Sequence, residues 1–171
     1  GIDSIPSIAS TFKAFKAGAE SVNPDIQVIN MSLAMNTDIQ AAKQAALSAI
    51  DQGADVLIHQ ANAAAQGVFD AAKEKGVYAL GANLDQNDNP SGAVLASATI
   101  VAKPAFIALA EQVKAGKYKG GIQLFGMKEK AIDFVMNPAL AGKVSADTMT
   151  KVELARKEIE AGKLEVPKDN F

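Results

Sequence analysis

Apolar positions recur at two different periods along this chain, and the switches between them predict its elements. After a short lead-in over 1–6, Ile5, Ile8, Phe12, Phe15, Ala19 and Val22 fall at alternating steps of three and four residues. That spacing is one face of an amphipathic helix, and Asn23-Pro24 closes it. Residues 26–31 read as a strand. Thr37 and Gln40 stand at capping-box spacing. They predict a helix over 38–52 with Ile39, Ala42, Ala46, Leu47 and Ile50 turned inward. Two short apolar runs, 54–58 and 77–81, are bounded by glycines, as parallel strands covered on both faces read. Between them Val68, Phe69 and Ala72 share one side of a helix that stops at Gly76. Gly53 and Gly76 each follow a helix and precede a strand, where a left-handed residue is expected. Strand, helix and strand together predict a right-handed βαβ unit over 51–86.

The rest of the chain continues the pattern. Asn-Asp-Asn-Pro-Ser-Gly over 87–92 predicts a turn, and 94–99 a strand. Pro104 suits the first turn of a helix that carries Phe106, Leu109, Ala110 and Val113 and closes at Gly116. Residues 117–121 read as a loop, and 122–125 and 131–135 as a pair of strands around Gly126-Met127-Lys128. A last helix over 145–161 ends at Gly162, and 164–171 is a tail. The order α-β-α-β-α-β-β-α-β-β-α predicts an α/β, Rossmann-like fold. A doubly wound sheet ordinarily opens with a strand, whereas this sequence opens with a helix. Gly1 is therefore read as the residue that follows a strand outside this sequence.

Candidate chemistry clusters where two strands end. His59, Gln60 and Asn62 follow the first strand of the βαβ unit, and Asn83, Asp85 and Gln86 follow the second. Ligands of open α/β sheets bind outside the carboxyl ends of the strands, so these residues predict a site for a small polar molecule. Gln60 and Asn62 offer donors and acceptors suited to a sugar or base edge, although Asn62 has an equal claim to cap the following helix. Asn83 and Asp85 either meet ligand or order the 87–92 turn. His59 is the sole histidine, and a lone histidine at a strand end is more often a hydrogen-bonded structural residue than a catalyst. Met31, Leu33 and Met35 read as core filling, and Ser97 and Thr99 as weak candidates.

Composition narrows the classes. With 171 residues and 49% apolar content the chain can bury a real core. A net charge of -2 gives nucleic acid no basic surface. Cysteine is absent, which excludes disulfides and thiolate metal sites. Neither G-x-G-x-x-G after a strand nor G-x-x-x-x-G-K-[ST] occurs. No dinucleotide, nucleoside triphosphate or other cofactor is expected, and no catalytic residue is assigned.

The sequence resembles the basic membrane protein family of substrate-binding lipoproteins, which includes the purine nucleoside receptors of ABC transporters. The resemblance lies in Phe15-Lys16-Ala17-Gly18, Val22-Asn23-Pro24-Asp25, Asp51-Gln52-Gly53-Ala54-Asp55-Val56, Gly67-Val68-Phe69-Asp70-Ala71-Ala72-Lys73, Gly76-Val77-Tyr78 and Asp85-Gln86. It continues through Val94-Leu95-Ala96-Ser97 and residues 159–167. Family members are about twice as long. The resemblance implies one lobe of a type I periplasmic binding protein, a three-layer sandwich, with residues 1–171 as the carboxyl-terminal lobe plus crossover segments. Helix 104–115 would then pack with the missing amino-terminal lobe. The implied function is solute binding for an ABC importer, outside the cytoplasm, by hinge closure on a nucleoside, nucleobase or related ligand. The implied partners are that small molecule, a permease, and the missing lobe or a second copy of this fragment. The pocket residues are Asn36, His59, Gln60, Asn62, Asn83 and Asp85. Family receptors tend to carry Asp where Asn83 stands, a Gly-Gly-Thr-Gly turn in place of residues 62–65, a lysine near Ile100 and an aromatic near Asn36. Those replacements touch groups that would recognise a purine nucleoside and leave the fold inference intact. A sensor domain of a transcriptional regulator and a sugar receptor of the same fold are the alternatives.

Overall fold

The computed structural model describes residues 1–2 and 4–167, so the last four residues of the expected tail lie outside it. Five helices and four strands are formed among the described residues: α1 (Pro6–Val22), α2 (Ile39–Asp51), β1 (Val56–Ile58), α3 (Ala65–Lys75), β2 (Tyr78–Asn83), β3 (Val94–Ile100), α4 (Ala102–Lys114), β4 (Ile132–Met136) and α5 (Ala146–Glu160). Short 3₁₀ turns at Asn62–Ala64 and Pro138–Lys143 precede α3 and α5. The sheet order is β1-β2-β3-β4, with the first three strands parallel and β4 antiparallel to β3.

The expected βαβ unit is the heart of the core. Phe69, Ala71 and Ala72 of α3 are buried, as are Ala79 of β2 and Val94 of β3. Gly76 ends α3 in the left-handed region at φ 69° and Gly53 takes φ 100°, a backbone glycine adopts without strain. Helix α2 packs on α3 through Ala42, Ala46 and Ala49. Its first turn is capped by Asp38, whose carboxylate accepts from Ala41 N–H at 2.9 Å, and not by Thr37. Asp38, one position after threonine, is the residue at which the backbone turns helical, and its carboxylate takes the capping role. Ser145 caps α5 in the same way, accepting from Thr148 N–H at 3.1 Å.

Two expectations fail. Residues 26–31 join no ladder. Residues 122–125 form no strand; Ile122 and Leu124 are exposed, and a Gln112–Gln123 side-chain amide pair holds this stretch to α4. β4 instead takes the free edge of β3, where Ile132 lies opposite Ile100 and Met136 opposite Ala96. An edge beside a buried apolar strand offers more burial than a short pair flanked by glycines. Helix α1 forms as expected, and its apolar stripe holds no fully buried residue; Val22 is 83% exposed. Helix α5 is tied to β4 by the Arg156 guanidinium, which pairs with the Asp133 carboxylate and donates to Phe134 O. Burial alone would raise the Asp133 carboxyl pKa; the bonds from Arg156 and the Phe134 amide more than offset it and hold it below the usual range.

Candidate functional site

The connection from β2 to β3 returns the chain to the start of a parallel strand through residues 84–93 without a helix. Its backbone groups must find partners elsewhere, and side-chain amides supply them. Asn137 donates from Nδ2 to Asn87 O (2.8 Å) and Val94 O (2.7 Å) and accepts at Oδ1 from Ala139 N–H (3.0 Å). Asn87 donates from Nδ2 to Val135 O at 3.1 Å. Ser97, fully buried, accepts from Gln86 N–H (3.0 Å) and donates to Asn87 Oδ1 (2.9 Å). Asn89 Nδ2 reaches Gln66 Oε1 on α3 at 3.0 Å. This knot fixes the segment that carries Asn83 and Asp85. Sequence reasoning missed Asn137 and Asn87. Their only signal is an asparagine at each end of a strand or turn, which distant partners give its meaning.

His59 is 3% exposed at the end of β1. Its Nε2 lies 3.1 Å from Gln86 Oε1, which also accepts from Ala82 N–H at 2.9 Å. An amide oxygen only accepts, so Nε2 carries the proton and Nδ1 accepts from Ala61 N–H at 3.4 Å. The ring stands edge-on to Phe69, with centroids 5.2 Å apart. Burial pushes its pKa down to about 4; the Gln86 bond pulls the other way and the amino-terminal charge adds a smaller push down. The imidazole is therefore neutral at pH 7 with both nitrogens engaged inside the protein. This is the structural role that a lone strand-end histidine ordinarily plays.

Gln60 and Asn83 meet. Asn83 Nδ2 donates to Gln60 Oε1 at 3.3 Å across the carboxyl ends of β1 and β2. Asn83 takes φ 70°, a left-handed conformation that asparagine tolerates better than other side-chain-bearing residues. Among the described residues, Gln60 Nε2 and Asn83 Oδ1 have no further protein partner, so the pair presents a donor group on Gln60 and an acceptor on Asn83. Asp85 is exposed and accepts from Asn87 N–H at 3.0 Å, ordering the turn. Asn62 is exposed at φ 44° and opens the 3₁₀ turn without capping α3. Asn36 lies beside that turn, its carbonyl accepting from Ala64 N–H at 3.1 Å. Thr99, next to Asn83 across β2–β3, is nearly buried. Leu84 and Ile100, at the ends of β2 and β3, are 70% and 55% exposed and add apolar surface beside the amides. Asp85 is the only charge among the six predicted residues once His59 is neutral. Among the described residues no group of His, Cys, Asp or Glu side chains is arranged to hold a metal. The chemistry on offer is hydrogen bonding by fixed amides.

Gly81 lets β2 approach this knot. A Cβ there would lie 2.4 Å from Ser97 Oγ and 3.0 Å from Gln86 Cβ.

Known proteins share this arrangement of elements. The fold matches an ABC transporter solute-binding protein from Conexibacter woesei DSM 14684 with a TM-score of 0.75 at 20% identity, over 96% of this chain and 54% of that one. In sequence, the chain is 26% identical over 166 residues to basic membrane protein D of Borreliella burgdorferi (strain JD1), covering 95% of this chain and 48% of that protein. It is also 26% identical over 152 residues to a purine-binding protein of Brucella abortus (strain 2308), covering 87% and 43%. The chain thus spans about half the length of the curated relatives it matches. The sequence profile of the PnrA-like ABC transporter substrate-binding proteins matches residues 2–170, and the chain belongs to that family.

Proposed function

We propose that this chain is the carboxyl-terminal ligand-binding lobe of a solute receptor that serves an ABC importer and has no catalytic activity. The observation that carries the reading is the Gln60–Asn83 amide pair at the carboxyl ends of β1 and β2, held on a hydrogen-bonded scaffold. Fixed donors and acceptors of this kind recognise a polar edge at low entropic cost. Only Asp85 is charged among the six proposed pocket residues, which suits an uncharged ligand, a nucleobase, nucleoside or related heterocycle, with Leu84 and Ile100 against its apolar face. Asn36, Asn62 and Asp85 line the rim, and His59 positions the strand end from beneath. The ligand would be desolvated between this lobe and an amino-terminal one by hinge closure, with α4 packed on that second lobe. The permease would then read the closed form outside the cytoplasm, with the receptor periplasmic or held at the membrane by an anchor. No helix among the described residues is long and apolar enough to cross a membrane.

Calorimetry on the two-lobed receptor with nucleobases, nucleosides and sugars tests this. Asn83→Ala should weaken binding of the tightest ligand by about 1–3 kcal/mol, the cost of a buried partner left unpaired. Asn83→Asp should shift preference toward ligands richer in donors. If both variants bind like the parent, Asn83 is a turn residue and the proposed site is wrong.

A further inference from the structure

The strand-end amides stand at one end of a row that crosses the sheet. Asn83 of β2 is in register with Thr99 of β3, and Thr99 with Asp133 of β4. Thr99 is nearly buried, and its Oγ1 donates to Asp133 O at 3.5 Å. Asn83 in turn donates to Gln60, beyond the end of β1. Because β4 runs antiparallel, the row meets it near its start and meets β2 and β3 near their ends.

The start of β4 is the weak point of this row. Among the described strands β4 is an edge, so β3 alone holds its first rungs. Strand ends with one neighbour open more readily than the centre of a sheet. Phe134, opposite Ala98, turns both backbone groups to the open side. Its N–H donates to Asp133 Oδ1 at 2.7 Å, and its carbonyl accepts from Arg156.

Arg156 binds two consecutive residues of β4 at once. One arm of the guanidinium donates to Asp133 Oδ1 and the other to Phe134 O. Its Nε lies 3.5 Å from Glu153 Oε1, one turn earlier on α5. All three nitrogens are engaged, and a planar fork so held is preorganised for the pair of bonds it makes. No residue of α5 is fully buried. Its own bonds are local: the Ser145 cap and an Asp147–Lys151 ion pair at 2.7 Å. Among the described residues, every hydrogen bond from α5 to the sheet comes from Arg156.

We infer that Arg156 is a positioning residue of the strand-end site: it pins the first rungs of β4, and with them the Thr99 rung that seats Asn83. This role rests on the strand-end amides being the ligand site.

The test compares the parent with Arg156→Gln, Asp133→Asn, the double variant and Arg156→Lys. Hydrogen exchange is followed at residues 98–100 and 132–134, with 68–72 of α3 as the reference, and the side-chain amide of Asn83 is followed by NMR. Arg156→Gln and Asp133→Asn should each speed exchange at 98–100 and 132–134 by about tenfold, leave 68–72 unchanged and shift the Asn83 signal. The double variant should do little more than either single, because both remove one shared contact. Arg156→Lys keeps the charge without the fork and should recover part of both effects. Both readouts are taken without ligand, so they stand apart from what the amides bind. An Asn83 signal that stays in place while 132–134 opens would overturn the inference, leaving Arg156 a fastener of α5 alone. Exchange that rises equally at 68–72 would overturn it as well, since the loss would then be one of general stability.

Discussion

Replacing Gly67 by alanine should cost far more than one methyl group ordinarily does. Gly67 lies on the face of α3 that meets α2, and a Cβ built there would stand 2.1 Å from Ile39 O and 2.8 Å from Lys43 N. Both contacts are backbone atoms of the first turns of α2, so no rotamer change relieves them. The helices must separate by about 1 Å or more to reach ordinary van der Waals distance. Separation loosens the packing around Ala42, Ala46, Val68 and Ala71, which are buried at or near this interface. Overpacking of this kind costs about 1–3 kcal/mol, occasionally more. Alanine's better helix propensity returns up to about 1 kcal/mol of it. A net loss of about 1–2 kcal/mol should lower the melting temperature by roughly 2–8 °C in a protein of this size. The internal control is Gly18→Ala in α1, where a Cβ meets nothing within 4 Å; it should be neutral or stabilising by up to about 1 kcal/mol. Urea denaturation of both variants, compared with the parent at equal slope, reads the difference. A Gly67→Ala protein as stable as the Gly18→Ala protein would refute the close approach of α2 and α3.

Other consequences follow from the same geometry. His59 is held neutral, with its folded pKa near 4 against an ordinary 6.5; the unfolded chain therefore takes up its proton first, and stability should fall as pH drops from about 6.5 to 4, by up to about 3 kcal/mol. His59→Gln should flatten that part of the stability–pH curve, and an unchanged slope would show that another group carries it. Asn137→Ala leaves the Asn87 and Val94 carbonyls without this donor, at about 1–3 kcal/mol for each one left buried and unpaired; denaturation should show the loss, and a neutral result would mean that water replaces the amide. Helix α4 holds no buried residue, and a 13-residue helix is marginal without packing. Its amides should exchange well before those of α3, and equal protection would reveal a covering surface.

The βαβ core was legible because its signals are local. Glycine at 53 and 76 punctuates short apolar runs, and Val68, Phe69 and Ala72 mark the buried side of α3; all three are buried as expected. The pairing of β4 was not legible, because Ile132–Met136 and 122–125 look alike in composition and only the edge of β3 decides between them. Of the candidate residues grouped by strand-end position, Gln60 and Asn83 are hydrogen-bonded to each other. Position could not separate His59 from them, since the neutral, doubly bonded state of that ring depends on Gln86 and Phe69, which are distant in sequence. The asparagine knot escaped for the same reason: Asn87 and Asn137 are 50 residues apart and meet only after β3 and β4 have paired.

Burial is divided unevenly among the helices, and the division tracks the sheet. Helices α2 and α3 contribute buried residues, whereas α1, α4 and α5 contribute none. Yet α1 and α4 carry apolar faces: Phe12 and Phe15 on the first, Phe106, Ile107 and Val113 on the second. Fully burying one such side chain stabilises by about 1.5–3 kcal/mol, so each face holds several kcal/mol that the described chain does not realise. The two faces differ in where they stand. That of α1 lines a cavity beside β1. That of α4 follows the end of β3, where the chain leaves the sheet before returning at β4, and Phe106 there is 70% exposed. The polar knot of Asn87, Ser97 and Asn137 owes nothing to either face: its bonds are made among the strand ends and the 84–93 connection, and they hold the amides there in place.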